Sequence, residues 1–190
     1  MTDNFTPNVQ IFGFYPNDKV GFFIEDCTHF KKPKLRLSLV PVEGGQPVEF
    51  FPDLEVCRVI FNDLALIGCL QPDCLTKTVQ GKNGDLPAFD LFAKIGENGH
   101  RSLTIINMED GIYLKIINKN GEKIALGAPF GAFNARMVGM AVTQYINQLP
   151  LRNIMAQATA ARNNNRQASQ DEQDGFIDDY PTEFEDTFPG

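Results

Sequence analysis

The sequence predicts an α+β protein made of two repeats, each of four antiparallel strands plus a helix, followed by a disordered acidic tail. Three observations carry this. Segments of apolar–polar alternation, the pattern of half-buried strands, recur between Gly-, Asn- and Pro-rich turns. The two halves align: KLRLSLVPVEGGQPVEFFP lies over GIYLKIINKNGEKIALGAP, each giving strand, turn, strand and a proline leading to a helix start. Charge is also unevenly spread. The chain carries a net −7, but residues 1–170 hold 17 basic against 16 acidic side chains, so the excess lies beyond them. An oligonucleotide-binding-fold-like β-barrel is the alternative architecture for the same strand-rich pattern.

In chain order, Val9–Pro16 is β-rich and closes on a Pro-Asn-Asp turn, and Lys19–Asp26 follows. In Lys34–Val40, Leu35, Leu37 and Leu39 point one way and Lys34, Arg36 and Ser38 the other. Pro47–Phe51 returns after Glu43-Gly44-Gly45. Asp53 is placed to cap a helix whose apolar face is Leu54, Cys57, Ile60, Phe61 and Leu64. Residues 68–87 read as a connector. The strand order then repeats in Ala88–Ile95, Arg101–Met108, Ile112–Asn118 and Glu122–Gly127, with Lys119-Asn120-Gly121 as a hairpin turn. Asn134–Leu149 reads as a helix capped by Asn134 and stopped by Pro150. The expected organisation is a β-rich domain over 1–150, with repeats at about 9–67 and 88–149, then a helix extension and flexible linker over 151–170, then the tail over 171–190.

The tail, DEQDGFIDDYPTEFEDTFPG, holds eight acids, no base and four aromatics, Phe176, Tyr180, Phe184 and Phe188. Acidic segments with apolar anchors dock into basic, apolar pockets on partners or compete with nucleic acid for a basic surface. The anchors expected to do so are Asp178, Asp179, Tyr180, Phe184, Glu185, Asp186 and Phe188.

Several function classes are disfavoured. No apolar run approaches a membrane span, and MTDNFTPNVQ lacks the basic and apolar regions of a signal peptide, so a cytoplasmic location is expected. Cys27, Cys57, Cys69 and Cys74 form no Cys-x-x-Cys pair. Cys27, His29, Cys69 and Cys74 lack the spacing of a common zinc module, and reduced structural thiols are expected, with no metal or cofactor. Among catalytic signatures, no nucleophile elbow, phosphate loop or His-Glu-x-x-His occurs, so no enzymatic activity is expected.

The faces opposite the apolar ones interleave aromatic and basic residues: Phe12 and Phe14, Lys34 and Arg36, Phe92 and Lys94, Tyr113 and Lys115. Phe30, Lys31 and Lys32 add a basic loop. Bases stack on aromatic rings and lysines track phosphates, so these eleven residues are the expected contacts for single-stranded nucleic acid. If both sheet faces are covered, they are instead packing and ordinary solvated charge.

The tail resembles the acidic tip of prokaryotic and phage single-stranded DNA-binding proteins, with Asn163–Gln170 as the linker, Asp178-Asp179-Tyr180-Pro181 and Glu185-Asp186 as the acids, and Phe188 as the terminal aromatic. It departs from them in that Pro189-Gly190 follow the phenylalanine. The body, over residues 9–149 and by topology only, resembles the Whirly fold, related to the transcriptional coactivator positive cofactor four; the Lys-Gly-Lys-Ala-Ala-Leu motif of plant Whirly proteins has no match. The resemblance implies sequence-tolerant binding of single-stranded DNA on antiparallel sheets in replication, recombination or transcription. It further implies a tail that recruits partners and competes with DNA, and a phage-encoded protein of the host cytoplasm as the leading picture. A non-catalytic recruiting factor and an RNA-binding protein are the rivals. Self-association is expected, because uncovered sheet edges invite pairing.

Overall fold

The computed structural model describes residues 9–29, 31–82 and 84–151. The chain divides into one compact unit over Met1–Asn147 and a second over Gln148–Gly190, and the sheets and the core lie in the first. Strands β1 (Gln10–Phe14), β2 (Val20–Cys27), β3 (Lys34–Pro41) and β4 (Val48–Phe50) form one antiparallel sheet in sequence order. Helix α1 (Leu54–Ile67) and a short 3-10 turn (Pro72–Cys74) lead to a second antiparallel sheet, also in sequence order. Its strands are β5 (Lys77–Gly81), β6 (Gly84–Ile95), β7 (Gly99–Met108), β8 (Gly111–Asn120) and β9 (Glu122–Gly131). A second helix, α2, follows over 132–151. Neither sheet closes on itself, so the barrel alternative is not what forms. Among the described residues no helix is long and apolar enough to cross a membrane.

Alternation decides which face of each sheet is interior. Cross-strand neighbours Phe22–Leu39 and Ile24–Leu37 in the first sheet, and Leu103–Ile116 and Ile105–Leu114 in the second, are all buried. These faces share one apolar interior with the helices, lined by Phe22, Leu37, Cys57, Ile60, Phe61, Leu64, Leu103, Ile105, Ile112, Leu114, Phe130 and Val138. Burial on this scale supplies the main favourable term for the fold. The helices cross closely: a Cβ on Gly139 would run into the backbone of Leu64 and Ala65, so only glycine lets the two backbones approach there. Tyr145 on α2 donates its hydroxyl hydrogen to Asp26 at the end of β2, tying the helix to the first sheet. Hydrogen bonds from Thr28 and Tyr145 hold the Asp26 carboxyl below its ordinary pKa, against a desolvation that works the other way.

The structure corrects several expectations. The second sheet has five strands, not four: Lys77–Gly81, read as connector, pairs with β6 as an edge strand. Lys77, Thr78 and Gln80 are exposed, so the segment shows no apolar stripe. Helix α1 starts where expected, but Asp53 makes no side-chain cap; its carboxylate instead pairs with Lys34 at 2.8 Å. Helix α2 begins before Asn134, and residues 150 and 151 are still helical, because the fixed φ of Pro150 is itself a helical value. Cys27 and Cys57 are packed into the interior, while Cys69 and Cys74 are partly exposed. Cys57 is buried, and burial above all pushes its thiol up to about 12. Cys74 donates to Asp63 at 3.1 Å and is pushed up to about 11, by desolvation and then by that carboxylate.

Candidate nucleic-acid interface

Register builds the outer face of the second sheet row by row. Lys94 of β6 lies opposite His100 of β7, which lies opposite Lys119 of β8, which lies opposite Lys123 of β9. Two residues along, Phe92, Ser102, Ile117 and Ala125 form the next row. Asp90, Thr104, Lys115 and Gly127 form the third, and Ala88, Ile106, Tyr113 and Pro129 the fourth. Successive rows are about 7 Å apart, two residues of extended chain. This face therefore carries a basic row at one end, an aromatic beside it, a further lysine and a second aromatic.

The details suit stacking and phosphate contact. Phe92 is 60% exposed on the sheet, where a strand side chain gains nothing from facing water. Its ring stacks on His100, centroids 5.0 Å apart and planes at 28°, which fixes it as a platform. Tyr113 lies flat across Gly127: a Cβ there would collide with the tyrosine ring and its oxygen, so the glycine is the seat of the ring. Among the described residues Lys94, Lys115, Lys119 and Lys123 form no ion pair, leaving their charge for a ligand. One carboxylate on the face, Asp90, is already engaged by Lys77 at 2.9 Å and by the Thr104 hydroxyl at 2.6 Å.

Of the residues expected to form the interface, Phe92, Lys94, Tyr113 and Lys115 are brought together on this face. The others are not. Phe12 and Phe14 pair across with Ile24 and Phe22, on the interior side of the first sheet, and Phe14 packs edge-on against Phe130 at 5.3 Å. A bulge between Gln10 and Phe12 shifts the phase of β1, so the phenylalanines rather than Ile11 take the core side. Lys34 and Arg36 lie on the outer face of the first sheet, but their charges are satisfied. Lys34 pairs with Asp53. Arg36 bridges Glu25 at 2.8 Å and also Glu49. Burial works against the arginine's charge, yet the two glutamates outweigh it and raise its pKa above the ordinary value. Lys31 and Lys32 are exposed in the connection from β2 to β3. Phe30 and the tail residues Asp178, Asp179, Tyr180, Phe184, Glu185, Asp186 and Phe188 lie outside the described residues.

The sequence pattern singles out neither His100 nor the outward pair Tyr15 and Phe23. Those two rings meet edge-on at 5.8 Å over Gly13 and Gly21, where an added Cβ would strike them at under 3 Å. The signal for His100 was its place opposite Lys94 across the Glu97-Asn98-Gly99 turn, visible once the hairpin register is counted back. Among the described residues no group of three metal-ligating side chains comes together.

No family model matches the sequence, and no curated protein matches it. Solved structures do resemble it. WHY1 from Arabidopsis thaliana superposes with a TM-score of 0.53 at 12% identity, over 83% of this chain and 93% of that one. WHY3 from the same plant gives 0.52 at 12% identity, over 85% and 98%. The plant transcriptional regulator PBF-2 gives 0.52 at 9% identity, over 81% and 88%. The fold of the described residues, two antiparallel sheets of four and five strands with two helices, is thus the Whirly fold.

Proposed function

We propose that the chain binds single-stranded DNA, with little sequence demand, on the outer face of β6–β9. The observation that carries this is the co-facial arrangement of two seated aromatics, Phe92 and Tyr113, with lysines that no carboxylate among the described residues engages. Base stacking on such rings is worth roughly 1–3 kcal/mol per base, and each phosphate a lysine neutralises adds a salt-dependent increment. The likeness in fold to a plant transcriptional regulator supports a role on DNA, in transcription, replication or recombination. The role is one of binding, not catalysis.

The acidic tail, with Asp178, Asp179 and Phe188 among its anchors, competes with DNA for this face and recruits partner proteins. The tail is the one strongly acidic segment of the chain, and the second sheet offers a row of three lysines. Self-association is part of the proposal. Both sheets are open, and α2 turns Phe133, Met137 and Met140 outward at 75%, 45% and 57% exposure, an apolar face suited to a second copy.

Fluorescence anisotropy with dT and rU oligonucleotides at two salt concentrations tests the reading. Salt-sensitive binding to dT, tightened by deleting residues 171–190, is expected. No binding by the full chain or the truncated one would overturn it, and a preference for folded RNA would favour an RNA-binding role instead.

A further inference from the structure

The inward face of the second sheet leaves the core before its strands end. Leu91, Leu103, Ile116 and Leu126 form one cross-strand row on that face, and Leu103 and Ile116 are fully buried. Two residues nearer the β6–β7 and β8–β9 turns, the row on the same face is Ala93, Arg101, Asn118 and Ile124. Here Ala93 is exposed and the other three are only half-buried. Phe51, just after β4, reaches this row: the guanidinium of Arg101 lies over its ring, 5.2 Å from the centroid.

Arg101 is a cation without a counter-ion. Among the described residues no carboxylate pairs with it, neither Glu97 in the β6–β7 turn nor Glu122 at the start of β9. Its Nε and the Oδ1 of its cross-strand neighbour Asn118 are shielded from solvent and have no hydrogen-bond partner among the described residues. A half-buried charge and two orphaned polar atoms all cost stability. Arg36, also half-buried, is compensated by two glutamates; Arg101 is not. Its place along the sheet indicates the missing anion. His100 and Lys119, next in the chain to Arg101 and Asn118, stand on the outer face in one row with Lys94 and Lys123. The turn end of the sheet is therefore basic on both sides.

We propose that Arg101 holds a phosphodiester of the bound single strand, which passes over the turn end of the second sheet from the lysine row to the reverse face. The inference rests on the proposed function and deepens it by adding a second contact face. A guanidinium presents a planar fork of donors that matches two oxygens of a phosphate, whereas a lysine acts as a point charge. Contact with the Phe51 ring fixes the plane of that fork. The lysine row thus gathers the strand and Arg101 anchors it where it turns.

Arginine-selective modification with phenylglyoxal, mapped by mass spectrometry on the full chain with and without a dT oligonucleotide, tests this on the unaltered protein. Arg101 is expected to react several-fold more slowly when dT is bound, while Arg58, exposed on α1, reacts at the same rate in both. In anisotropy titrations R101Q should bind dT about fivefold or more weakly, and its slope of log affinity against log salt should flatten by about 0.7, the share of one phosphate on a single strand. R58Q, equal to it in net charge, should stay within about twofold of the wild type. Arg101 equally reactive with dT bound overturns the assignment and leaves the proposed function standing. Weaker binding by R101Q at an unchanged salt slope also overturns it, since the contact would then be to a base. R58Q as weak as R101Q overturns it in favour of net charge alone. If Arg101 becomes reactive only when residues 171–190 are deleted, and dT does not protect it in the truncated chain, the tail occupies the site and the assignment is overturned. Failure of dT to bind overturns the proposed function and this site with it. If the far-UV CD spectrum shows that R101Q does not fold, protection in the unaltered chain decides alone.

Discussion

The two sheets turn outward faces of similar raw composition and opposite electrostatic availability. Each carries aromatics over glycines and each carries basic side chains. On the first sheet, Arg36 is clasped between Glu25 and Glu49 and Lys34 is held by Asp53. On the second, Lys94, Lys115, Lys119 and Lys123 pair with no carboxylate among the described residues, and Asp90 is absorbed by Lys77 and Thr104. The first face is therefore internally neutralised and the second is poised for an anionic ligand. The number of basic residues on a strand says little about ligand binding; what stands across from them decides it.

This contrast can be broken or sharpened by substitution. The largest effect is expected from K94E/K119E/K123E, which reverses the basic row. Affinity for dT should fall roughly hundredfold or more, and the slope of log affinity against log salt should flatten by about 0.7 for each phosphate left without its lysine. A smaller change in both would move the phosphate path off this row. Next comes Phe92→Ala. Losing one stacking platform should cost roughly 1–3 kcal/mol of binding with an unchanged far-UV CD spectrum, whereas a collapsed spectrum would mark the ring as core. Gly127→Ala should weaken binding by a few-fold, by lifting Tyr113 from its seat; full affinity would show that the ring's position does not matter.

On the first sheet the same logic predicts the reverse pattern. Arg36→Gln should leave dT affinity within about twofold but destabilise the fold by about 1–2 kcal/mol, because two half-buried glutamates lose their shared cation. Urea titration and anisotropy on the same sample separate the two outcomes, and a large loss of affinity at full stability would put DNA on the first sheet. The smallest effect is at Tyr145→Phe. The native Asp26 pKa is depressed, so its contribution is present above the unfolded value near 3.9 and lost as pH falls through the native one. The variant should melt slightly lower at neutral pH, and the gap should close at acid pH; a gap that persists there would mean the tyrosine contributes by packing alone.

The sequence made the sheet architecture legible because most strands bury one face, and period-two alternation reports that directly. It failed where a segment had little to bury, as at Lys77–Gly81, and where backbone geometry broke the period, as at the β1 bulge that turned Phe12 and Phe14 inward. In β1 both faces are partly apolar, so the residues themselves could not reveal the slip. The candidate site was half legible. Phe92, Lys94, Tyr113 and Lys115 could be assigned because the strands holding them alternate cleanly. The silencing of Lys34 and Arg36 could not, since it depends on cross-strand neighbours such as Glu25 that only the register supplies. His100 was hidden for the same reason, as it gains meaning only opposite Lys94 and beside Phe92.

Photocrosslinking tests the contrast between the two faces most directly. An iododeoxyuridine-substituted single strand would be irradiated on the full chain and its adducts mapped by mass spectrometry. Adducts at Phe92 and Tyr113, lost when K94E/K119E/K123E is used, are the expected result. Adducts at Tyr15 and Phe23 instead would place the strand on the neutralised sheet and contradict the account.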